Sequence, residues 1–366
     1  MSGETRVYDV VQQLALPDQD ILDRYQVDVI DVCQAFATDS SYWKTAGSAK
    51  GFLWPAKISC RFGDGTAELL LPNGRTAGIM PRSATFFDQT IYPFEDGYPD
   101  DYQCLSQAMS QVTWSAFVHS PWDAAGETDF YDRLRQRALW LRRHTDKALM
   151  IVCGCNLFEW GTFLRRIDNF LADLVIQQEN VERLLDALLE HHMSTLEKVC
   201  ASVGDVVDII RFGDDLGMDT GPFLSPEIYR KLFKPRHKML CDYVKTHSSM
   251  HTFLHSCGSI HMLLPDLIEA GFEIINPVQS CCRNMEPARL KREFGDSITF
   301  WGGGVDTRSV LNRGTPEEVR RNVLENMEAL SRAGGFVFAA IHNILPDVPP
   351  ENIEAMFQAV DEFNRR

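Results

Sequence analysis

From about residue 148 to the end of the chain, short apolar runs alternate with longer segments in which apolar residues recur every three or four positions. The short runs predict buried strands and the longer segments predict amphipathic helices. Strands that alternate with helices in this way pair in parallel, so the pattern predicts an α/β fold. The six predicted strands are 148–156, 205–215, 250–258, 272–279, 297–305 and 335–343.

Two of the predicted helices have clear start signals. Ser225-Pro226-Glu227 and Thr315-Pro316-Glu317-Glu318 each place a capping side chain before a proline at the first helical position. A final helix, opened by Pro349-Pro350, has an apolar stripe that ends at Phe363. The other helices are predicted at 181–199, 226–245, 260–270, 287–294 and 316–333.

The first 145 residues have a different pattern. Segments 57–62, 66–71 and 75–80 are separated by the turn sequences Gly63-Asp64-Gly65 and Pro72-Asn73-Gly74, which predict an antiparallel β-meander. We interpret residues 1–145 as an N-terminal extension or lid on one barrel domain that spans residues 1–366. Runs at 28–33 and 114–121 predict further strands. Eight strands would complete a (β/α)8 barrel, and a doubly wound open sheet is the alternative.

The amino-acid composition and net charge of the chain argue against some classes of binding partner. The chain has 366 residues, 45% hydrophobic and 24% charged, as expected of a globular protein. A formal charge of −15 argues against nucleic acid or an anionic membrane as a partner. Ten irregularly spaced cysteines do not predict a disulfide framework. The N-terminus has no apolar signal core and no run reaches membrane-spanning length, so we expect a cytoplasmic protein.

His255 and Cys257 are the strongest candidates for chemistry. They lie two residues apart at the end of a predicted strand, so both side chains point to the same side of the backbone. An imidazole and a thiolate are ligands that zinc prefers, and Gly258 allows a sharp turn after them. The alternative is a buried structural thiol.

In a barrel the working residues stand at the carboxyl ends of the strands. Here polar or glycine-rich groups follow every predicted strand, which predicts one common site. Each has a structural alternative, such as helix capping for Asp214 and Asp215, close packing for the glycines, or a core position for His342. The groups are Asn156 with Glu159, Asp214 with Asp215, His255 with Cys257, Asn276 with Gln279, Gly302 to Asp306, and His342 with Asn343.

Several ordered motifs within residues 145–366 resemble the uroporphyrinogen decarboxylase superfamily, and more narrowly its corrinoid-dependent methyltransferase branch. The motifs are GDDLGMDTGPFLSPEIYRKLFKP, HSCGSIHMLLPDLIEAGFEIINPVQ, LKREFGDSITFWGGGVDTRSVL and GGFVFAAIHNILPDVPPENIEAM. The resemblance implies a TIM (β/α)8 barrel with a zinc ion at its mouth. It assigns His255 and Cys257 as ligands, and His342 stands where the branch often has a third ligand, a cysteine.

The resemblance also implies a reaction. We expect methyl transfer between a small substrate, a methoxylated compound or a thiol, and a corrinoid on a separate protein, because the chain lacks the Asp-x-His-x-x-Gly motif of a corrinoid domain. The alternatives are decarboxylation of a tetrapyrrole and a non-catalytic small-molecule-binding barrel. Glu159, Asp214 and Asp215 are the expected catalytic residues, and the expected substrate-binding residues are Asn276, Gln279, Gly303, Asp306 and Asn343.

Overall fold

A computed structural model describes residues 4–32, 40–46, 51–63, 65–118 and 122–366. The chain divides into two compact units. The first consists of Met1–Val152, Glu159–Asp208 and His247–Ser249, and the second of Cys153–Phe158, Ile209–Thr246 and Met250–Arg366.

The first unit opens with short strands and one helix. In chain order they are β1 (Thr5–Asp9), β2 (Leu14–Ala15), α1 (Gln19–Arg24), β3 (Val29–Asp31), β4 (Trp43–Thr45) and β5 (Phe52–Pro55). A 3-10 turn at Ser40–Tyr42 precedes β4. Four of the strands form a sheet in the order β2-β1-β5-β4, in which β1 and β5 are parallel. The predicted early strand at 28–33 is found as β3, and residue 33 lies outside the described residues.

A second, antiparallel sheet follows, in the order β6-β7-β8-β9. Its first three strands correspond to the predicted segments 57–62, 66–71 and 75–80, which the two turn sequences separate, and Asp64 lies outside the described residues. Leu69 and Ala77 are fully buried and pack in a core with Trp54 and Phe87. The strands are β6 (Ser59–Gly63), β7 (Thr66–Leu70), β8 (Thr76–Met80) and β9 (Asp88–Gln89).

The predicted strand at 114–121 is wrong, because Thr113–Ala116 is a short helix, and residues 119–121 lie outside the described residues. The amides of Ser115 and Ala116 both donate to the carbonyl of Val112, and the buried Thr113 hydroxyl donates to the carbonyl of Ala77. Such a short apolar run does not by itself distinguish helix from strand.

Two longer helices of this unit, α4 (Phe130–His144) and α7 (Gln178–Val203), pack on each other. A 3-10 turn at Trp122–Ala124 precedes α4. The next helices are α2 (Leu105–Met109), α3 (Thr113–Ala116), α4 (Phe130–His144), α5 (Phe158–Arg165), α6 (Ile167–Ile176) and α7 (Gln178–Val203).

The principal sheet is parallel and contains all six strands predicted from residue 148 onward. Its order is β15-β14-β13-β12-β11-β10-β3. Within the described residues this sheet has seven strands, with β3 and β15 at its two edges. The structure therefore shows an α/β fold with a parallel sheet, and the expected closed barrel of eight strands is not seen among these residues. The strands are β10 (Ala148–Gly154), β11 (Ile209–Gly213), β12 (His251–His255), β13 (Ile274–Asn276), β14 (Thr299–Trp301) and β15 (Phe336–Val337).

The three helices of the second unit that have start signals begin where those signals predict, whereas the helix predicted at 260–270 begins at Leu264. The Ser225 hydroxyl accepts from the Ile228 amide, and Thr315 and Glu318 form a reciprocal capping box. The helices are α8 (Pro226–Ile228), which continues through a π-helical turn (Tyr229–Phe233) into α9 (Lys234–His247), then α10 (Leu264–Ala270), α11 (Pro287–Phe294), α12 (Pro316–Leu330) and α13 (Pro350–Asn364). Across the described part of the chain, none of the helices has the length and apolarity needed to cross a membrane.

A buried polar network fixes the carboxyl end of β11. Asp214 is fully buried, and its Oδ2 accepts from the Phe158 amide at 3.0 Å and lies 3.2 Å from Nε2 of His237. The other ring nitrogen of His237 lies 3.0 Å from the Tyr229 hydroxyl. Burial raises the pKa of Tyr229 well above its usual value, so the hydroxyl beside His237 keeps its proton. The network joins the strand end to the π-helical turn and to α9.

We expect Asp214→Ala to lower the free energy of unfolding by about 3–5 kcal/mol, because it leaves His237 and the Phe158 amide buried without their acceptor. Asp242→Ala is the matched control, since Asp242 is exposed on α9 and its carboxylate pairs with Lys238 four residues earlier, so its loss should change stability by less than about 0.5 kcal/mol. Urea denaturation of both variants measures the difference. Equal stability of the two variants would contradict a structural role for Asp214.

Candidate functional site

Three potential metal ligands of the second unit converge after neighbouring strands. Asp215, His255 and Cys257 each offer one donor atom, and these atoms all lie within 4.8 Å of one another. Nε2 of His255 is 3.6 Å from Sγ of Cys257 and 3.8 Å from Oδ1 of Asp215. All three residues are half-buried, so the group is open to a ligand from solvent.

The backbone brings these residues together. In the parallel register of β11 and β12, Gly213 lies opposite His255, and the amide of Asp214 donates to the carbonyl of His255 at 2.8 Å. The amide of Cys257 donates to Oδ1 of Asp215, also at 2.8 Å. This bond orients the carboxylate beside the thiol.

Gly258 is required where the two loops meet. Its φ is +87°, and a Cβ at this position would lie 2.3 Å from the backbone carbon of Gly217. The Gly258 amide donates to Oε1 of Gln279 at 2.7 Å. Glycine therefore permits the close approach that sets the position of Cys257.

Asn276 fixes the orientation of the His255 ring. Its Nδ2 donates to the carbonyl of Trp301 at 3.1 Å, which leaves its Oδ1 to accept a hydrogen bond from Nδ1 of His255 at 2.7 Å. Nδ1 therefore carries the proton, and the Nε2 lone pair faces Cys257 and Asp215. Metal-binding histidines are commonly held in the correct tautomer by such a partner.

The electrostatic environment keeps the His255 imidazole neutral. Burial, with a smaller contribution from the positive charge of Arg211, lowers the pKa of His255 to about 4, while the Asp215 carboxylate opposes the shift. A neutral imidazole is the form that binds metal ions at neutral pH. Burial also lowers the pKa of His342.

The donor set fits zinc. Imidazole nitrogen, thiolate sulfur and carboxylate oxygen are all zinc ligands, and catalytic zinc sites use three protein ligands with a fourth position open. With the usual Zn–N and Zn–S bond lengths, tetrahedral geometry separates nitrogen and sulfur by about 3.6 Å. The distance of 3.6 Å between Nε2 of His255 and Sγ of Cys257 matches this value. Asp215, His255 and Cys257 would hold the ion.

The other sequence-predicted residues lie in different places. His342, the expected third ligand, follows β15 and is not in the three-residue group. Part of its surface is exposed, but its ring is sufficiently desolvated to lower its pKa, and its positive form would act on His255. Asp215, expected as a catalytic residue, lies beside His255 and Cys257 and forms part of the three-residue group. Asn276 and Gln279, expected to bind substrate, hold His255 and the Gly258 amide.

Four more residues have structural contacts or lie elsewhere. Asp214 belongs to the buried network of β11. The Asp306 carboxylate caps its own turn, accepting from the Arg308 amide at 2.7 Å and the Ser309 hydroxyl at 2.6 Å. Gly303 has a φ of +82°, and a Cβ there would lie 2.6 Å from Val278, so close packing requires glycine. Glu159 lies in the first turn of α5, within the first unit.

Asn343 follows His342 and is half-buried. Arg211 was not among the sequence-predicted residues, although a cation within the apolar run DVVDIIRFG is a signal that could have identified it.

The chain is similar in sequence to known methyltransferases and decarboxylases. The chain is 24% identical over 198 residues to the methylcobamide:CoM methyltransferase MtaA of Methanosarcina barkeri, covering 54% of this chain and 53% of that protein. It is 25% identical over 183 residues to a uroporphyrinogen decarboxylase of Prochlorococcus marinus, covering 50% and 48%. The chain thus spans about half the length of these two curated relatives. A 76-residue stretch is 40% identical to the uroporphyrinogen decarboxylase of Pseudoalteromonas translucida, covering 21% of each chain.

A solved methyltransferase from Methanosarcina mazei has the same type of fold, with a TM-score of 0.53 and 20% sequence identity over 76% of this chain and 73% of that one. The sequence profile described as "Uroporphyrinogen decarboxylase (URO-D)" matches residues 158–363, which is more than half of the chain. The matched segment includes Asp215, His255 and Cys257. The chain therefore belongs to the uroporphyrinogen decarboxylase family, which includes methyltransferase relatives.

Proposed function

We propose that the protein transfers a methyl group between the oxygen or sulfur of a small substrate and a corrinoid carried by a separate protein, with zinc held by Asp215, His255 and Cys257. The observation on which this depends is the convergence of three zinc-type donors within 4.8 Å, with the histidine held in the metal-binding tautomer. The match to a methylcobamide-dependent relative supports the choice of methyl transfer.

Bound zinc would supply Lewis acidity, either polarising a methoxy oxygen or stabilising a thiolate. The residues of the chain provide the geometry for that chemistry. Asn276 keeps the proton on Nδ1 of His255, and the Cys257 amide holds the Asp215 carboxylate. Gln279 holds the Gly258 amide and so fixes the turn behind Cys257. We propose a methoxylated small molecule as the substrate and a complete (β/α)8 barrel as the fold.

Decarboxylation of a tetrapyrrole is the second candidate, because the stretch 40% identical to the Pseudoalteromonas translucida protein matches a decarboxylase. That reaction gives no role to a cluster of zinc-type donors. The two candidates are therefore distinguished by metal content and by the substrate that is consumed.

The purified protein should contain about one zinc per chain, and Cys257→Ser, His255→Ala and Asp215→Ala should each reduce zinc occupancy at least about tenfold, because each removes a ligand. Inductively coupled plasma mass spectrometry measures this content. Cys281→Ser is the control, since Cys281 is exposed and outside the group. We expect His342→Ala to reduce occupancy less than Cys257→Ser. Wild-type protein without zinc after reconstitution would contradict the proposal.

Asn276→Ala should weaken zinc affinity about 10–100-fold while leaving all three ligands in place, because the His255 ring loses the partner that fixes its tautomer. Competition with a chromophoric chelator measures the dissociation constant. Asn364→Ala, at the exposed end of α13, is the control. Unchanged affinity in the Asn276 variant would show that the hydrogen bond does not support a metal ligand.

Zinc-loaded protein, mixed with a reduced corrinoid protein and a panel of methoxylated compounds, should methylate the corrinoid cobalt and release the demethylated alcohol or phenol. Absorbance spectroscopy follows the loss of the reduced corrinoid. Cys257→Ser should reduce the rate at least about 100-fold, since an interaction needed in the transition state is lost. Consumption of uroporphyrinogen III by wild type and Cys257→Ser at equal rates would favour the decarboxylase candidate instead.

A further inference from the structure

Arg211 is a half-buried cation in the middle of β11, between the buried residues Ile210 and Phe212. Side chains alternate between the two faces of a strand, so Arg211 lies on the opposite face from these neighbours. Phe212 packs against Phe272 with ring centroids 6.2 Å apart, and Phe272 contacts His237 of α9. Arg211 therefore points away from the helical side of the sheet.

The same face of the sheet presents the candidate zinc ligand His255. Arg211 lies opposite Phe253 in the register of β11 and β12, and Gly213 lies opposite His255. Phe253 and His255 are two residues apart, so both share the face of Arg211. With strands about 4.8 Å apart and a rise of about 3.3 Å per residue, the Cα atoms of Arg211 and His255 are separated by about 8 Å. At this Cα spacing, one small ligand can contact both residues.

Within the described ranges, the guanidinium of Arg211 makes no hydrogen bond or ion pair, although the backbone of Arg211 is part of the β11–β12 ladder. Two other arginines that are half-buried or buried do pair with acidic side chains. Arg165 binds Asp173 at 2.8 Å, and Arg142 binds Asp208 at 2.5 Å and the carbonyl of Val206 at 2.8 Å. A cation removed from water without a partner is destabilising, so a guanidinium in this position favours an anionic ligand.

The neighbours of Arg211 indicate what else the ligand contains. Phe253 is buried and its ring packs edge to face on Trp301, with centroids 5.2 Å apart. Trp301 is half-buried and supplies the carbonyl that orients Asn276. A ligand that contacts this face beside Arg211 therefore meets aromatic side chains, which suit an apolar or aromatic body, while the planar guanidinium suits a carboxylate.

We propose that Arg211 is a substrate-binding residue that pairs with a carboxylate, so that the small substrate is a carboxylic acid with an apolar or aromatic body and the reacting methyl-bearing atom faces the Asp215, His255 and Cys257 group. This proposal rests on the proposed function for the reaction itself. The carboxylate site is nevertheless defined by Arg211 alone and can be tested without methyl transfer.

The test is isothermal titration calorimetry of the full chain with 3-methoxybenzoate, methoxyacetate and the neutral 3-methoxybenzamide. Wild type should bind at least one of the two acids, and 3-methoxybenzoate at least about tenfold more tightly than the amide. Arg211→Gln should remove this preference, and Arg211→Lys should restore part of it because the charge remains. Arg289→Gln is the matched control, since Arg289 lies on α11 and pairs with Glu293. Thermal melting of each variant checks that it is folded.

Cys257→Ser separates this proposal from the proposed function, because it removes a zinc ligand and leaves Arg211 in place. Preference for the acid that persists in Cys257→Ser and is lost in Arg211→Gln would support the Arg211 site, whatever the metal content. Preference that persists in Arg211→Gln would overturn it and place the carboxylate elsewhere, including on the metal. Failure of wild type to bind either acid, or equal binding of 3-methoxybenzoate and the amide, would also overturn it.

Discussion

The parallel register of β11, β12 and β13 is the constraint on which the site depends. It places Gly213, His255 and Asn276 side by side across three strands. Because the carboxyl ends of parallel strands lie at one edge of a sheet, the residues after them are brought to one place. The hydrogen bond from His255 to Asn276 then converts this alignment into a defined direction for Nε2. A shift of one residue in the register would move these side chains to opposite faces.

Asp214 and Asp215 show how adjacent residues acquire different roles. Asp214 is fully buried and holds the strand end against His237 and the Phe158 amide. Asp215 faces the other way, is partly exposed, and accepts from the Cys257 amide. A rigid buried carboxylate thus supports a neighbouring carboxylate that remains available to a ligand. This division is consistent with the alternation of side chains at the end of a strand.

The protein is negatively charged overall, but Arg211 carries a positive charge close to the candidate site. The protein has a formal charge of −15, yet Arg211 places a cation on the same face of the sheet as His255. Bulk charge governs the attraction of large partners, whereas a half-buried group acts only on a ligand that reaches it. An acidic protein and an anionic small substrate are therefore compatible.

The sequence by itself determined the strands from residue 148 onward and the starts of α8 and α12, because apolar periodicity and capping residues act locally. It also determined that His255 and Cys257 share one side of the backbone, since that follows from their spacing. Only the tertiary structure decided that Asp215 lies beside His255 and Cys257, that Asp306 accepts hydrogen bonds within its own turn, that Gly303 closely approaches Val278, and that residues 113–116 are helical. These outcomes depend on which strands are neighbours and on the burial of each side chain, and residues far apart in sequence establish both.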